Sequence, residues 1–275
     1  MPSTPKGNDR HKLRRGYDPA RQNRSGGPPR RGGPTPEGHA WLWGWHPVQA
    51  ALSNPERPAP TRLLATAERA EQLKRILSRE ALIALEIVET PELARELPQG
   101  ATHQGAALLG EPPESATIAE LAEPAAGLLL MLDQITDPQN VGAVFRSAAA
   151  FGVKGVILQD RHAPVLAGSL AKAAAGAIDR VAHARVVNLS RALEELEENG
   201  WRAIGLDGKA DAPLEAVLDA RPTVLVLGSE GEGLRRLVAE HCDALARIDM
   251  PGGFESLNVS AAAAVALYAA TRPAS

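Results

Sequence analysis

The sequence predicts an α/β protein whose larger part is built on a mostly parallel sheet. Three observations carry that prediction. Leu128–Leu132 and Thr223–Leu227 are apolar runs of strand length, the pattern of strands covered on both faces. From residue 128 onward such runs alternate with segments of helical period. Three polar clusters containing glycine follow strand candidates, at the strand ends where ligands bind in sheets of this kind.

The chain opens differently. Residues 1–38 hold seven Gly and seven Pro with almost no apolar residues, too little to offset the entropy of ordering. They are read as a disordered arm. They carry nine Lys/Arg against three Asp/Glu, a net of +6, and since the chain totals -3 the rest sums to -9. A cationic arm on an acidic body confines contact with a polyanion to the arm and to local patches, and the arm is read as touching RNA. It has no apolar centre for a secretory signal, and its Gly-Pro clusters prevent the amphipathic helix of a transit peptide.

Residues 39–113 read as a small α/β module. Trp41, Trp43 and Trp45 alternate and would share one face of a strand. A helix starts at His46-Pro47; Arg62–Ala65 is a strand, Glu68–Arg79 a helix and Leu85–Val88 a strand. Residues 114–127 read as a linker with one helical turn. In the larger part, residues 128–275, Asp137 before Pro138 is a suitable N-cap and first-turn pair, and the helix it opens stops at Gly152. Val156–Leu158, Val181–Val187, Arg202–Leu206 and Leu245–Ile248 are the further strands. Leu166–Ala177, Leu189–Asn199 and the Ala-rich Asn258–Ala270 are the further helices.

Composition bounds the function. Hydrophobic residues at 44% and charged residues at 23% are near the globular average, which excludes a wholly disordered chain, a collagen and a coiled coil. No uncharged apolar run reaches the roughly 18 residues of a membrane span. The single cysteine, Cys242, excludes an intrachain disulfide and reads as a small buried thiol; the seven histidines lack H-x-x-x-H spacing, so no metal is expected.

The chemistry concentrates in the three clusters. The first is Asp137-Pro138-Gln139-Asn140-Val141-Gly142, leading to Arg146, whose apolar neighbours Val144 and Phe145 suggest a guanidinium with a fixed partner. The second, Gly228–Gly233, reads G-x-x-G-x-G and not the dinucleotide fingerprint G-x-G-x-x-G; its glycines suit close approach of backbone to a flat ligand. The third runs from Met250 to Asn258, where Ser256 is either the N-cap of the last helix or a functional group, and Asn258 a first-turn cap.

Taken together, these clusters resemble the SpoU, or TrmH, family of SPOUT-class RNA ribose 2′-O-methyltransferases. The resemblance rests on Leu132-Asp133 through Asn140-Val141-Gly142 to Arg146-Ser147-Ala148, on Leu227-Gly228-Ser229-Glu230-Gly231, and on Ile248, Met250, Gly252 and Ser256-Leu257-Asn258-Val259-Ser260. Asp249 departs from it, standing where the family usually has proline. Gly44-Trp45-His46-Pro47-Val48, His103-Gln104-Gly105 and Ser169-Leu170-Ala171-Lys172 are similar to a subgroup with a small ribosomal-protein-like RNA-binding domain, whose best-known members methylate a guanosine of bacterial 23S rRNA.

The resemblance implies a parallel sheet whose end threads a deep trefoil knot, a homodimer whose chains complete each other's sites, and an RNA substrate. The cofactor it implies is S-adenosylmethionine, held by the backbone of Gly228, Ile248 and Leu257. Arg146 would be the catalytic residue, orienting the 2′-hydroxyl and stabilising developing charge, since a guanidinium stays protonated and is a poor base. Asn140 would position Arg146 or the ribose, Glu230 would anchor a guanidinium or an RNA group, and Ser256 and Asn258 would shape the transfer pocket. A cytoplasmic location follows. The alternatives are a tRNA ribose 2′-O-methyltransferase and a non-catalytic RNA-binding or ribosome-assembly factor on the same fold.

Overall fold

The computed structural model describes residues 35–253 and 256–272. Of the 1–38 arm read as disordered, residues 1–34 lie outside the described residues, as do Phe254 and Glu255 of the third cluster, while residues 35–38 end in a turn where the His39 N–H donates to the Pro36 carbonyl at 3.1 Å.

The first part is a four-stranded sheet with helices. In chain order it runs β1 (Ala40–Trp43), α1 (Trp45–Ser53), β2 (Arg62–Ala65), α2 (Ala67–Leu73), α3 (Arg79–Ile83), β3 (Leu85–Ile87), α4 (Thr90–Glu96) and β4 (Ala106–Gly110). The strand order is β1-β4-β2-β3, with β4 antiparallel to both neighbours and β2 parallel to β3. The tryptophans do not share a strand. Gly44, at φ 100, ends β1 in a conformation that only glycine adopts at no cost, and Trp45 opens α1. Glu68–Arg79 is not one helix either. The chain after Leu73 turns, and Ser78 caps a new helix by accepting from the Ala81 N–H at 3.1 Å. β4 and α4 are additions to the elements expected from the sequence.

Residues 114–127 pack closely. Ala116 bridges to Ala184, and a capping box at Thr117 and Glu120 opens α5 (Ile118–Ala122), whose Leu121 is buried.

The second part continues with β5 (Leu128–Leu132), α6 (Pro138–Ala150), β6 (Gly155–Gln159), α7 (Gly168–Ala174), β7 (Ala182–Val186), α8 (Leu189–Glu198), β8 (Arg202–Leu206), β9 (Ala212–Pro213), α9 (Leu214–Val217), β10 (Thr223–Leu227), α10 (Arg236–Glu240), β11 (Ala244–Arg247) and α11 (Val259–Ala270). The predicted Leu166–Ala177 helix is shorter, because Ala175 turns left-handed at φ 50 and a 3-10 turn, Ala177–Asp179, follows. The seven strands order β7-β6-β5-β10-β8-β11-β9, and every pairing is parallel. The fully apolar strands β5 and β10 are central neighbours, covered on both faces by separate clusters of buried side chains. Gly142 lets α6 and α7 touch: a Cβ there would lie 2.5 Å from the Leu170 carbonyl oxygen. Cys242 is half-buried and not wholly buried as expected; its thiol donates to the Val238 carbonyl and is pushed up to about 12 mainly by the burial it has.

His183 on β7 is buried, its ring edge-on to Phe145. Burial, with Arg185 nearby, lowers it to about 4. The unfolded chain binds that proton near 6.5 and the folded one only near 4, so stability falls as pH drops between those values and levels off below. Thermal unfolding from pH 7.5 to 4 should show the wild type losing up to roughly 3 kcal/mol relative to His183→Gln. A gap that does not change with pH would mean an imidazole that titrates normally.

Candidate active site

Parallel strands bring their carboxyl ends to one edge, so loops far apart in sequence meet there. The loops after β8, β10 and β11 enclose a cleft of about 810 Å³. Gly228, Glu230, Ile248, Ser256 and Leu257 all line it. The loop Asp207-Gly208-Lys209 also lines it, and nothing in its own sequence marks it as part of a site.

The 228–234 loop folds tightly on itself. Ser229 and Gly233 exchange backbone hydrogen bonds at 3.1 and 3.0 Å. Gly228 lies so close to the far side of this turn that a Cβ would stand 2.2 Å from the Gly233 carbonyl carbon. The loop is then tied to β5: the Arg235 N–H and Nε donate to the buried Asp133 carboxylate at 2.9 and 2.7 Å.

Three polar side chains from the three clusters meet beside the cleft. Asp137 caps α6, accepting from the Asn140 N–H at 3.0 Å, and so fixes the turn that carries Asn140. Asn258 caps α11, its Oδ1 accepting from the Ser260 N–H at 3.0 Å. Between them Glu230 Oε1 accepts from Asn258 Nδ2 at 2.8 Å, the Val259 N–H at 3.2 Å and Asn140 Nδ2 at 3.3 Å. Asn258 Nδ2 also donates to Asn140 Oδ1 at 2.9 Å, which closes a triangle. Ser256 is not the N-cap of the last helix; Asn258 has that position, and Ser256 lies in the cleft wall.

Arg146 stands apart. It is exposed on α6, does not line the cleft, and among the described residues has no hydrogen bond or ion pair. The expected fixed partner for its guanidinium is therefore not among them. Asn140 does not hold Arg146 either: six helical positions leave them about 120° apart around the axis, and Asn140 is committed to Glu230 and Asn258. Arg247 at the cleft rim pairs with Asp249 at 2.8 Å and donates to the Ala210 carbonyl at 3.0 Å, so the aspartate gives the loop after β11 a charged brace.

Comparison with known proteins places the chain in a family. Residues 127–268 match the model of the SpoU rRNA Methylase family. The chain belongs to that family. A relative from Mycobacterium avium, named as an uncharacterized tRNA/rRNA methyltransferase, is 38% identical over 90% of this chain and 91% of its own. The 23S rRNA (guanosine-2'-O-)-methyltransferase RlmB of Xylella fastidiosa is 39% identical over 84% of this chain and 96% of its own. The crystal structure of the SpoU methyltransferase AviRb from Streptomyces viridochromogenes, in complex with AdoMet, superposes with a TM-score of 0.71 at 25% identity, covering 85% of this chain and 89% of that one.

Removing the Glu230 carboxylate should loosen the start of α11 while leaving the sheet intact. In Glu230→Ala, hydrogen exchange at the Val259 amide is expected to rise about tenfold, roughly 1.4 kcal/mol, with β5 unchanged. Unaltered protection at Val259 would show that the cap at Asn258 alone holds the helix.

Proposed function

We propose that this SpoU-family enzyme transfers a methyl group from S-adenosylmethionine to a ribose 2′-hydroxyl of rRNA, and that the target is a guanosine of the large subunit. The observation that carries this reading is that the second and third family motifs line one cleft and the first is tied to them beside it by the Asn140–Glu230–Asn258 triangle. The near full-length likeness to a 23S rRNA guanosine-2'-O-methyltransferase supports the substrate.

The cleft fits the cofactor. Its volume suits a ligand of that size, its walls offer Leu227, Ile248 and Leu257 to an adenine, and Asp207, Glu230 and Glu232 outnumber Lys209 once Arg247 is paired with Asp249, which leaves negative charge suited to a sulfonium and an ammonium. Gly228, Ile248 and Leu257 would hold it through their backbones. S-adenosylmethionine, when bound, supplies a methyl already activated on sulfur. The protein must then hold the ribose oxygen in line, keep the cofactor in place and stabilise charge as the hydroxyl proton leaves. Arg146 would orient that hydroxyl and offset its developing charge, with an RNA phosphate helping to take the proton. Asn140 and Glu230 would fix the wall facing the ribose, with Ser256 and Asn258 shaping the transfer pocket.

Arg146 lies outside its own chain's cleft, which supports a homodimer in which each copy completes the other's site. The exposed Val265 and Tyr268 on the Ala-rich α11 support that helix as part of the interface. We also infer a trefoil knot at the carboxyl end. Its support is the return of the chain after β11 from the edge side of the sheet to Asn140 at its centre, with α11 against α6. Residues 128–275 would form the transferase domain and residues 39–113 a ribosomal-protein-like RNA-binding domain, joined by 114–127, with 1–38 as a basic arm on RNA. The enzyme would act in the cytoplasm; no helix among the described residues is long and apolar enough to cross a membrane. Among the described residues no group of three His, Cys, Asp or Glu could hold a metal ion.

Transfer of labelled methyl from S-adenosylmethionine to unmodified large-subunit rRNA and to tRNA, assayed side by side, tests the reading. Label in rRNA is expected; label in tRNA alone would overturn the assigned substrate. Arg146→Ala should lose more than about 100-fold in turnover with cofactor affinity nearly unchanged, and substantial residual activity would sink its assigned role.

A further inference from the structure

The part carrying β1–β4 is fixed to the larger sheet domain through α7 and the 3-10 turn that follows it. Arg57 Nη1 and the Asp179 carboxylate form an ion pair at 2.7 Å with both side chains almost wholly buried. Asn54 Nδ2 adds a bond to Asp179 at 3.4 Å, and Arg57 Nε donates to the Glu111 carbonyl at 3.1 Å. Gly176 lies against α1, where a Cβ would come within 2.7 Å of the Ala50 methyl.

Beside this buried pair, the seam holds cations of another kind. Lys172 Nζ on α7 donates to Gln104 Oε1 at 2.7 Å, an acceptor shared with the Trp45 N–H at 3.1 Å. Arg69 lies 4.5 Å above the Trp45 ring, donates from Nε to the Gln104 carbonyl at 3.2 Å and from Nη1 to Gln72 Oε1 at 2.6 Å. Every hydrogen-bond acceptor of these two cations is a neutral amide. α1 and α7 carry no carboxylate, and of the two on α2, Glu71 pairs with Lys74 and Glu68 with neither cation. Elsewhere Arg62, Arg202, Arg221, Arg235, Arg236 and Arg247 all face carboxylates. Burial lowers the Lys172 ammonium, and His103 beside it is lowered by burial first and by the Lys172 charge second.

Two preoriented cations on a rigid seam, converging on one glutamine and lacking a counter-charge, have the electrostatics of a site for an anion. We propose that this seam binds a phosphate of the substrate RNA backbone, with Lys172 and Arg69 as its ligands and Gln104 as the neutral group it displaces. The proposal rests on the reading of the protein as an RNA methyltransferase. It makes the junction of the two parts a point of RNA contact at a fixed place relative to the cleft.

The test is the salt dependence of binding of large-subunit rRNA by the full chain, for the wild type, Lys172→Gln, Arg69→Gln and, as control, Arg221→Gln. Lys172→Gln removes the charge and leaves a polar donor on a shorter side chain. Each of the first two is expected to weaken binding several-fold near 0.1 M salt and to flatten the slope of log K against log salt by about one, with cofactor affinity unchanged. Arg221, already paired with Asp219, should leave the slope unaltered. Unchanged slopes in both seam variants would overturn the proposal, and so would weaker binding with an unchanged slope, which marks a purely structural role. If the wild type methylates rRNA while the seam variants keep their slopes, only the seam assignment falls; a wild type that transfers no methyl to RNA removes the functional reading beneath it.

Discussion

One carboxylate holds the site together. Glu230 accepts from a side chain on α6 that lies 90 residues earlier, and from a side chain and a backbone amide 28 and 29 residues later. None of these segments could set the others' positions by local structure alone, because each sits at the end of a different strand. A carboxylate suits this junction because it only accepts, and one of its oxygens can serve several donors at once. The two asparagines are what a carboxylate needs as partners here. Each has an amide group to give to Glu230 and an oxygen left over, which Asn258 uses for its own helix cap. The capping of α11 and the joining of the motifs are therefore one hydrogen-bond network, and neither can be altered without moving the other.

That network works only because the backbone around it is already confined. The 228–234 loop is pressed too closely for a side chain on Gly228, and its far end is fastened to Asp133, a carboxylate with no exposure at all. A buried carboxylate that lost its arginine would cost several kcal/mol, so Arg235 is held as firmly as Asp133 is sheltered. Glu230 thus projects from a loop clamped at both ends, and its position is set before any ligand arrives. For a reaction in which the methyl group is already activated, such preorganisation is the larger share of the work.

Much of the larger sheet is legible because its signals are local. β5, β8 and β10 begin and end where the sequence pattern places them, and Asp137-Pro138 opens α6 as a cap and first-turn pair should. The smaller part is harder to read. Its strands are three to five residues long, and its breaks depend on single residues such as Gly44 and Ser78 that end one element by starting another. α10 has one buried residue, Val238, too little periodicity to read. In the site, the three clusters can be chosen from the sequence but not their mutual geometry. Asn140, Glu230 and Asn258 each carry a plausible separate role, whereas their joining depends on the strand order, which places β10 beside β5. The part of Asp207–Lys209 in the cleft wall is invisible in the sequence for the same reason.

Arg146 is isolated for a reason that lies in the packing of its helix. α6 is buried along Val141, Val144, Phe145 and Ala148 and has only a narrow face left to solvent, so a charged side chain there occupies scarce surface. α11 packs against α6 and presents Val265 and Tyr268 outward. Exposed apolar side chains suit a second protein surface, and a guanidinium with no partner among the described residues is free to meet an RNA backbone. On the proposed dimer, the two halves of the chemistry come from different copies: one fixes the cofactor through its loops, and the other brings the guanidinium on a rigid helix. Assembly would then be a condition of turnover and not of cofactor binding, because Arg146 contributes nothing to the lining of its own chain's cleft.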